Sequence, residues 1–201
     1  MPRISAARAK ERQETLLIAA RKVFAAKGYE GAAISEIARA AKLSDGLLYH
    51  YFGSKRDLLL AVLETFYERI IADLETAVAR ASGFDQRLKA LIREHVAVFV
   101  SDVDLCRLYI SEVRNFDEYP GSETHELNRR YTAVFVRIFS EGVKEGRVSR
   151  DFDARLVRDM LFGGIEHISW RHISTGSPLD VDRVAKQVSR LLLNGIASAG
   201  A

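Results

Sequence analysis

The sequence predicts an all-α protein of about nine helices, and three observations carry that prediction. Nearly every segment repeats its apolar residues with the 3.6-residue period, and none alternates as a half-buried strand would. Only 3 prolines occur in 201 residues, so long helices can run unbroken. The periodic runs are separated by short breaks rich in glycine, serine and aspartate, the residues that cap helices.

Leu16, Ala20, Val23, Phe24 and Ala26 mark the first helix, which KGYEG should end at a glycine. Ile34, Ile37, Ala38 and Ala41 mark a short second one, and a third runs from about Asp45 to Phe52. Gly53-Ser54 breaks the chain again, with Ser54 as N-cap and Asp57 three positions on as its capping-box partner. A long helix from Lys55 to about Ala81 follows. Further helices are expected near 84–101, 103–116, 122–145, 153–174 and 179–197, divided by Pro120-Gly121, Glu145-Gly146 and TGSPL. The organisation expected is a small helical domain at 1–54 and a second, larger helical domain at 55–201.

Charge separates the same two parts. Residues 1–57 hold 11 Lys/Arg against 6 Asp/Glu, whereas the whole chain is only +3, so the remainder is acidic by two. A basic N-terminal portion that includes Arg3, Arg8, Lys10 and Arg12 is the asymmetry expected when one region meets a polyanion. The lone Cys106 excludes an internal disulfide and a cysteine-built zinc site. No apolar run is long enough to span a bilayer, and the first residues lack a hydrophobic signal core, so a cytoplasmic protein is expected.

Residues 34–53 have the spacing of a helix-turn-helix, two short helices around a tight turn whose second member enters the major groove. Ile34, Ile37, Ala38, Ala41, Leu43, Leu48 and Phe52 can close a miniature core. That leaves Ser44, Asp45, Gly46, Leu47, Tyr49 and His50 facing outward. Ser44, Tyr49 and His50 can donate to phosphate oxygens, Gly46 permits close approach, and Leu47 can touch a thymine methyl. Lys55 opens the following helix with an ammonium and free amides for a flanking phosphate.

The run AARKVFAAKGYEGAAISEIARAAKLSDGLLYHYFGSKRDLLLAVLE, Ala19 to Glu64, resembles the DNA-binding domain of the TetR family of bacterial repressors. F-A-A-K-G-Y, I-S-E-I-A, S-x-G-x-L-Y-H-Y-F and S-K-x-D-L-L carry the likeness over 46 contiguous residues. The resemblance implies a homodimer on a palindromic double-stranded operator, and a C-terminal domain whose small ligand releases the DNA. It puts Ser44, Tyr49, His50 and Lys55 at phosphate-contact positions and Asp45, Gly46 and Leu47 at base-reading ones. Three departures stand out. Ala32 and Ala33 replace the family's Thr or Ser before the second helix, leaving Ser35 to substitute in part. Leu47 replaces a frequent threonine, and Asp45 reverses the charge of a frequent lysine. Asp45 has two readings: a first-turn carboxylate that favours the helix dipole and caps amides, or an acceptor for a cytosine amino group.

Thirteen of the 18 Phe, Tyr and Trp residues follow residue 57, enough to line an apolar cavity for a hydrophobic effector. Phe66, Phe99, Tyr109, Tyr131, Phe135, Phe162 and Trp170 are the expected walls, with His95, Glu166 and His167 as polar directing groups. Leu156, Met160, Gly163, Gly164, Ile165 and Ile168 form one late stripe. Val181, Val184, Val188, Leu191, Leu192 and Ile196 form another. Paired across a two-fold axis, these helices would make an intermolecular four-helix bundle, the dimer contact the family implies. Ile110 to Trp170 is further similar to the fatty-acid-metabolism regulators of the family. The shared elements are the E-x-R helix, the E-G-x-x-x-G-x-[IV] turn and the L-x-x-x-M-[IL]-F-G-x-[IL] helix. That likeness implies long-chain acyl-CoA as effector, with Arg107, Arg114, Arg129 and Arg130 available to its phosphates; a different hydrophobic ligand or drug is the alternative.

Catalysis is not expected. No G-x-S-x-G, P-loop or G-x-G-x-x-G occurs. His167 and His172, five residues apart, sit about 140° apart around a helix, so no metal or cofactor is expected from them.

Overall fold

The structure, a computed structural model, describes residues 6–112 and 120–197. Among them are nine helices: α1 (Ala6–Gly31), α2 (Ile34–Ala40), α3 (Asp45–Tyr51), α4 (Lys55–Arg80), α5 (Gly83–Ser101), α6 (Val103–Ser111), α7 (Glu123–Lys144), α8 (Ala154–Thr175) and α9 (Val181–Ile196). Among the described residues, β pairing is limited to one isolated bridge between Val148 and Ala197. The elements match those expected, except that α1 begins at Ala6, so the basic segment around Arg8, Lys10 and Arg12 is already helical. Gly28 ends its regular part with φ 70°, the left-handed turn a glycine supplies without Cβ strain.

The chain divides into two compact units, the described residues of Met1–Phe66 with Leu108–Thr124, and of Tyr67–Arg107 with His125–Ala201. In the first, α2 packs on both α1 and α3. Leu16, Phe24, Ile37, Ala38, Leu48, Leu58 and Leu63 are fully buried there. Ala41 and Phe52 are nearly so, while Ile34 and Leu43 lie half-buried at its margin. The turn between α2 and α3 places Lys42 at φ 57°, a left-handed conformation on a residue with a side chain.

In the second unit α5 is central and packs against both α8 and α9. Its inward face is Leu88, Leu91, Ile92, His95, Val96 and Phe99. The E-G-x-x-x-G-x-V turn ends α7 for steric reasons. A Cβ on Gly142 would lie 2.5 Å from the Phe84 ring and 2.8 Å from Val148, so only glycine fits that approach. Gly146 then takes φ 72°, and the amides of Arg147 and Val148 both donate to the Gly142 carbonyl. At α8, Asp153 Oδ1 accepts from the Arg155 and Leu156 amides at 2.8 and 2.9 Å, which holds its carboxyl below the usual range.

Candidate DNA interface and effector domain

α3 is only seven residues long and is held from outside by its caps and core. Ser44 Oγ accepts from the Leu47 amide at 3.3 Å, and Leu48 anchors the inner face with no exposure. On the outer side Ser44, Asp45, Gly46, Tyr49 and His50 are exposed, and Leu47 is half-buried rather than fully outward. A Cβ at Gly46 would meet nothing, so its face is open. Ser44 performs the capping that one reading gave Asp45, which makes no hydrogen bond or ion pair with the described residues. The carboxylate therefore stands free at the start of the recognition helix, with only the helix dipole to favour it.

Two neighbouring positions have settings of their own. Ala33 caps α2 with no side-chain hydrogen bond, so exposed Ser35 does not substitute for the missing hydroxyl cap. Lys55 is not a free cation. Its Nζ donates to the Glu30 carbonyl at 3.2 Å and lies 4.5 Å from the Tyr29 ring centre, tying the start of α4 to the end of α1. Ser54 Oγ accepts from the Asp57 amide at 3.0 Å, as the capping pattern required.

The second unit gathers five of the expected effector residues. His95 and Phe162 have ring centres 4.4 Å apart; Phe99 and Tyr131 lie 5.3 and 5.6 Å from the same imidazole, and Phe135 is 6.4 Å from Phe162. His95 Nδ1 and the Tyr131 hydroxyl are 3.0 Å apart. Burial pushes this imidazole down to about 3 and the Tyr131 phenol up, so both are neutral near pH 7. Glu166 is half-buried one turn beyond Phe162. Trp170 does not join the cluster. It is 41% exposed, because Ser169 and Ile173 take the inward positions of that part of α8. Phe66 and Tyr109 belong to the other unit, and Arg114 lies outside the described residues, as does Arg3.

The arginines expected to meet phosphates are partly engaged: Arg107 donates to the Ile173 carbonyl at 2.5 Å, and Arg129 pairs with Glu126 at 3.1 Å. Sequence reasoning missed a groove of about 460 Å³ between α5 and α9, lined by Lys89, Arg93, Lys186 and Arg190 with one carboxylate, Asp182. The signal was present as basic residues four apart on each helix.

The outer face of α8 is apolar without a covering element among the described residues. Leu156, Met160 and Ile168 are 59, 69 and 45% exposed, and Gly163 and Gly164 have only open space where a Cβ would stand. On α9, Leu191 is 76% exposed beside half-buried Val184, Val188 and Leu192. Ile165 leaves the expected stripe, being buried on the opposite face of α8. Cys106 is buried too, its thiol pushed up to about 12, so no thiolate nucleophile is available.

Residues 16–62 match the model of the bacterial regulatory proteins of the TetR family, and residues 81–196 that of the tetracyclin repressor-like C-terminal domain. The chain belongs to the TetR family. It is a DNA-binding transcriptional regulator and not an enzyme, of a family that binds operator DNA as dimers. The fatty acid metabolism regulator protein of Bacillus subtilis is 26% identical over 181 residues, 90% of this chain and 93% of that one. The transcriptional repressor KstR2 of Rhodococcus jostii is 29% identical over 193 residues, 93% of this chain and 92% of that one. Among solved structures, FadR of Bacillus subtilis in complex with stearoyl-CoA is similar with a TM-score of 0.82 and 26% identity, covering 91% of this chain and 98% of that one. No helix among the described residues is long and apolar enough to cross a membrane.

Proposed function

We propose that this regulator is a cytoplasmic repressor that leaves its palindromic operator when a long-chain acyl-CoA enters the second unit. The observation that carries the reading is the likeness, over 91% of the chain, to a regulator seen with stearoyl-CoA. The buried aromatic cluster around His95 supports an apolar chain-binding site, and the α5–α9 groove offers the coenzyme phosphates a dense set of cations. Ser44, Tyr49 and His50 hold phosphates, and Asp45, Gly46 and Leu47 read bases. The division of labour is 1–54 for DNA and 55–201 for effector and partner. The dimer forms through Leu156, Met160, Gly164 and Ile168 of α8 with Val184, Val188, Leu191 and Leu192 of α9. Gly163 and Gly164 support that face: glycines inside a helix cost about 0.5–1 kcal/mol each, and among the described residues nothing comes within 4 Å of where a Cβ would stand.

Fluorescence anisotropy of a labelled operator tests the reading. Operator binding should weaken steeply with salt, and stearoyl-CoA should release the DNA at fixed salt. No response to any acyl-CoA chain length would remove the acyl-CoA effector and leave a different hydrophobic ligand. Asp45→Ala, scanned against operator variants, should lose discrimination at one base pair; uniformly tighter binding with unchanged preference would sink the cytosine-reading role.

A further inference from the structure

The described residues leave three buried side-chain polar atoms without a hydrogen bond: His95 Nε2, Ser169 Oγ and His172 Nε2. All three lie on α5 and α8, two helices that pack together. His95 is the most enclosed of the histidines, walled by Phe99, Tyr131 and Phe162.

Its proton can be placed by counting unmet groups. If Nδ1 carried the hydrogen, the Tyr131 hydroxyl would have to accept it. The phenol proton and the Nε2 lone pair would then both lack partners. If the phenol donates to Nδ1 across the 3.0 Å separation, only one group is unmet, an Nε2–H. The Phe162 backbone approaches the imidazole closely enough to favour its protonated form, but Nε2 makes no hydrogen bond of ordinary geometry with it, so this donor is left without a full partner. A donor left unmet in an aromatic cage is destabilising, and a ligand acceptor would relieve it.

We infer that His95 Nε2–H is the donor for the effector's carbonyl, so the site selects an acyl thioester by its C=O and not merely by chain length. The inference rests on the acyl-CoA reading above. A neutral imidazole in an apolar cage offers a carboxylate no counter-charge, so a free fatty acid is disfavoured where an uncharged carbonyl is welcome. Tyr131 acts as a positioning residue, fixing the tautomer through Nδ1.

The test compares stearoyl-CoA with its S-octadecyl-CoA thioether, identical but for the carbonyl, by calorimetric titration of the full-length protein. Wild type should bind the thioester about tenfold more tightly, the ratio one well-made hydrogen bond supplies. His95→Phe, which keeps the aromatic packing, should bind both alike, and Tyr131→Phe should narrow the ratio. Equal binding of both ligands by the wild type, which needs no variant to fold, overturns the inference alone. So does a thioester preference that survives in His95→Phe. Wild type that binds neither overturns the acyl-CoA effector and this inference with it.

Discussion

The two units handle their polar side chains in opposite ways. In the first, the helix-capping groups are at the surface and find partners three residues away: Ser44 with the Leu47 amide, Ser54 with the Asp57 amide. In the second, His95 is drawn inside and faces Tyr131, 36 residues on, while the part-exposed Arg69 and Arg87 also reach far along the chain, to Asp102 at 3.2 Å and Glu141 at 2.7 Å. A polar group on the surface is open to a large external partner such as DNA, whereas one enclosed among aromatics is fitted to a small apolar molecule with few polar atoms.

Acid should expose this difference most strongly. His95 is held neutral in the folded protein, with its pKa depressed to about 3, while the unfolded chain takes up a proton near pH 6.5. Between those values the unfolded state binds more protons, so stability is lost as pH falls below 6.5, by about 2 kcal/mol at pH 5. Denaturant midpoints measured at fixed protein concentration should decline through that range, and His95→Phe should remove this part of the slope. An unchanged slope in the variant would mean that the histidine is not the buried base.

Gly142→Ala probes the tightest packing of the second unit. The new methyl would meet the Phe84 ring at 2.5 Å, and Phe84 is itself buried, so destabilisation of about 1–3 kcal/mol is expected. Thermal unfolding measures it, and Gly163→Ala is the control. That position has only open space around it in the single chain, so any loss there should appear in dimer formation.

Ser44→Ala tests the first unit, with a smaller effect on folding. Losing the cap should cost about 1 kcal/mol of stability and a phosphate donor with it. Tyr49→Phe keeps the helix intact and should weaken operator binding alone. If Ser44→Ala moves stability without moving DNA affinity, the serine is only a cap.

What is legible in the sequence follows the same division. Helix periods, the glycine breaks and the α2–α3 core depend on neighbours three or four residues apart, so reading along the chain recovers them. Lys55 escapes such a reading because its partners, Glu30 and Tyr29, come from the end of another helix. The aromatics are countable, but which of them meet is a tertiary fact. Trp170 and Phe162 share α8 yet differ in exposure, because eight residues turn the helix about 80° past alignment. The basic pairs Lys89/Arg93 and Lys186/Arg190 are each visible along the chain, but the groove needs their two helices, nearly a hundred residues apart, to adjoin, and that meeting is a tertiary fact.

The smallest expected effect lies at the turn between α2 and α3. Lys42 occupies φ 57°, where a side chain costs roughly 1–2 kcal/mol relative to the right-handed region. Glycine removes that strain but adds freedom to the unfolded chain, so Lys42→Gly should stabilise the protein by only about 0.5 kcal/mol. The strained residue is an exposed cation two residues before Ser44, the N-cap of the recognition helix, in the basic part of the chain. Strain persists where something else requires the side chain, and here a phosphate would supply the requirement. Lys42→Gly should therefore raise the denaturation midpoint while lowering operator affinity. It should also flatten the dependence of log K on log salt by about 0.9, the slope that one neutralised phosphate supplies. A stabilised protein with an unchanged salt slope would mean that Lys42 stays clear of the DNA and that its backbone conformation serves only the turn.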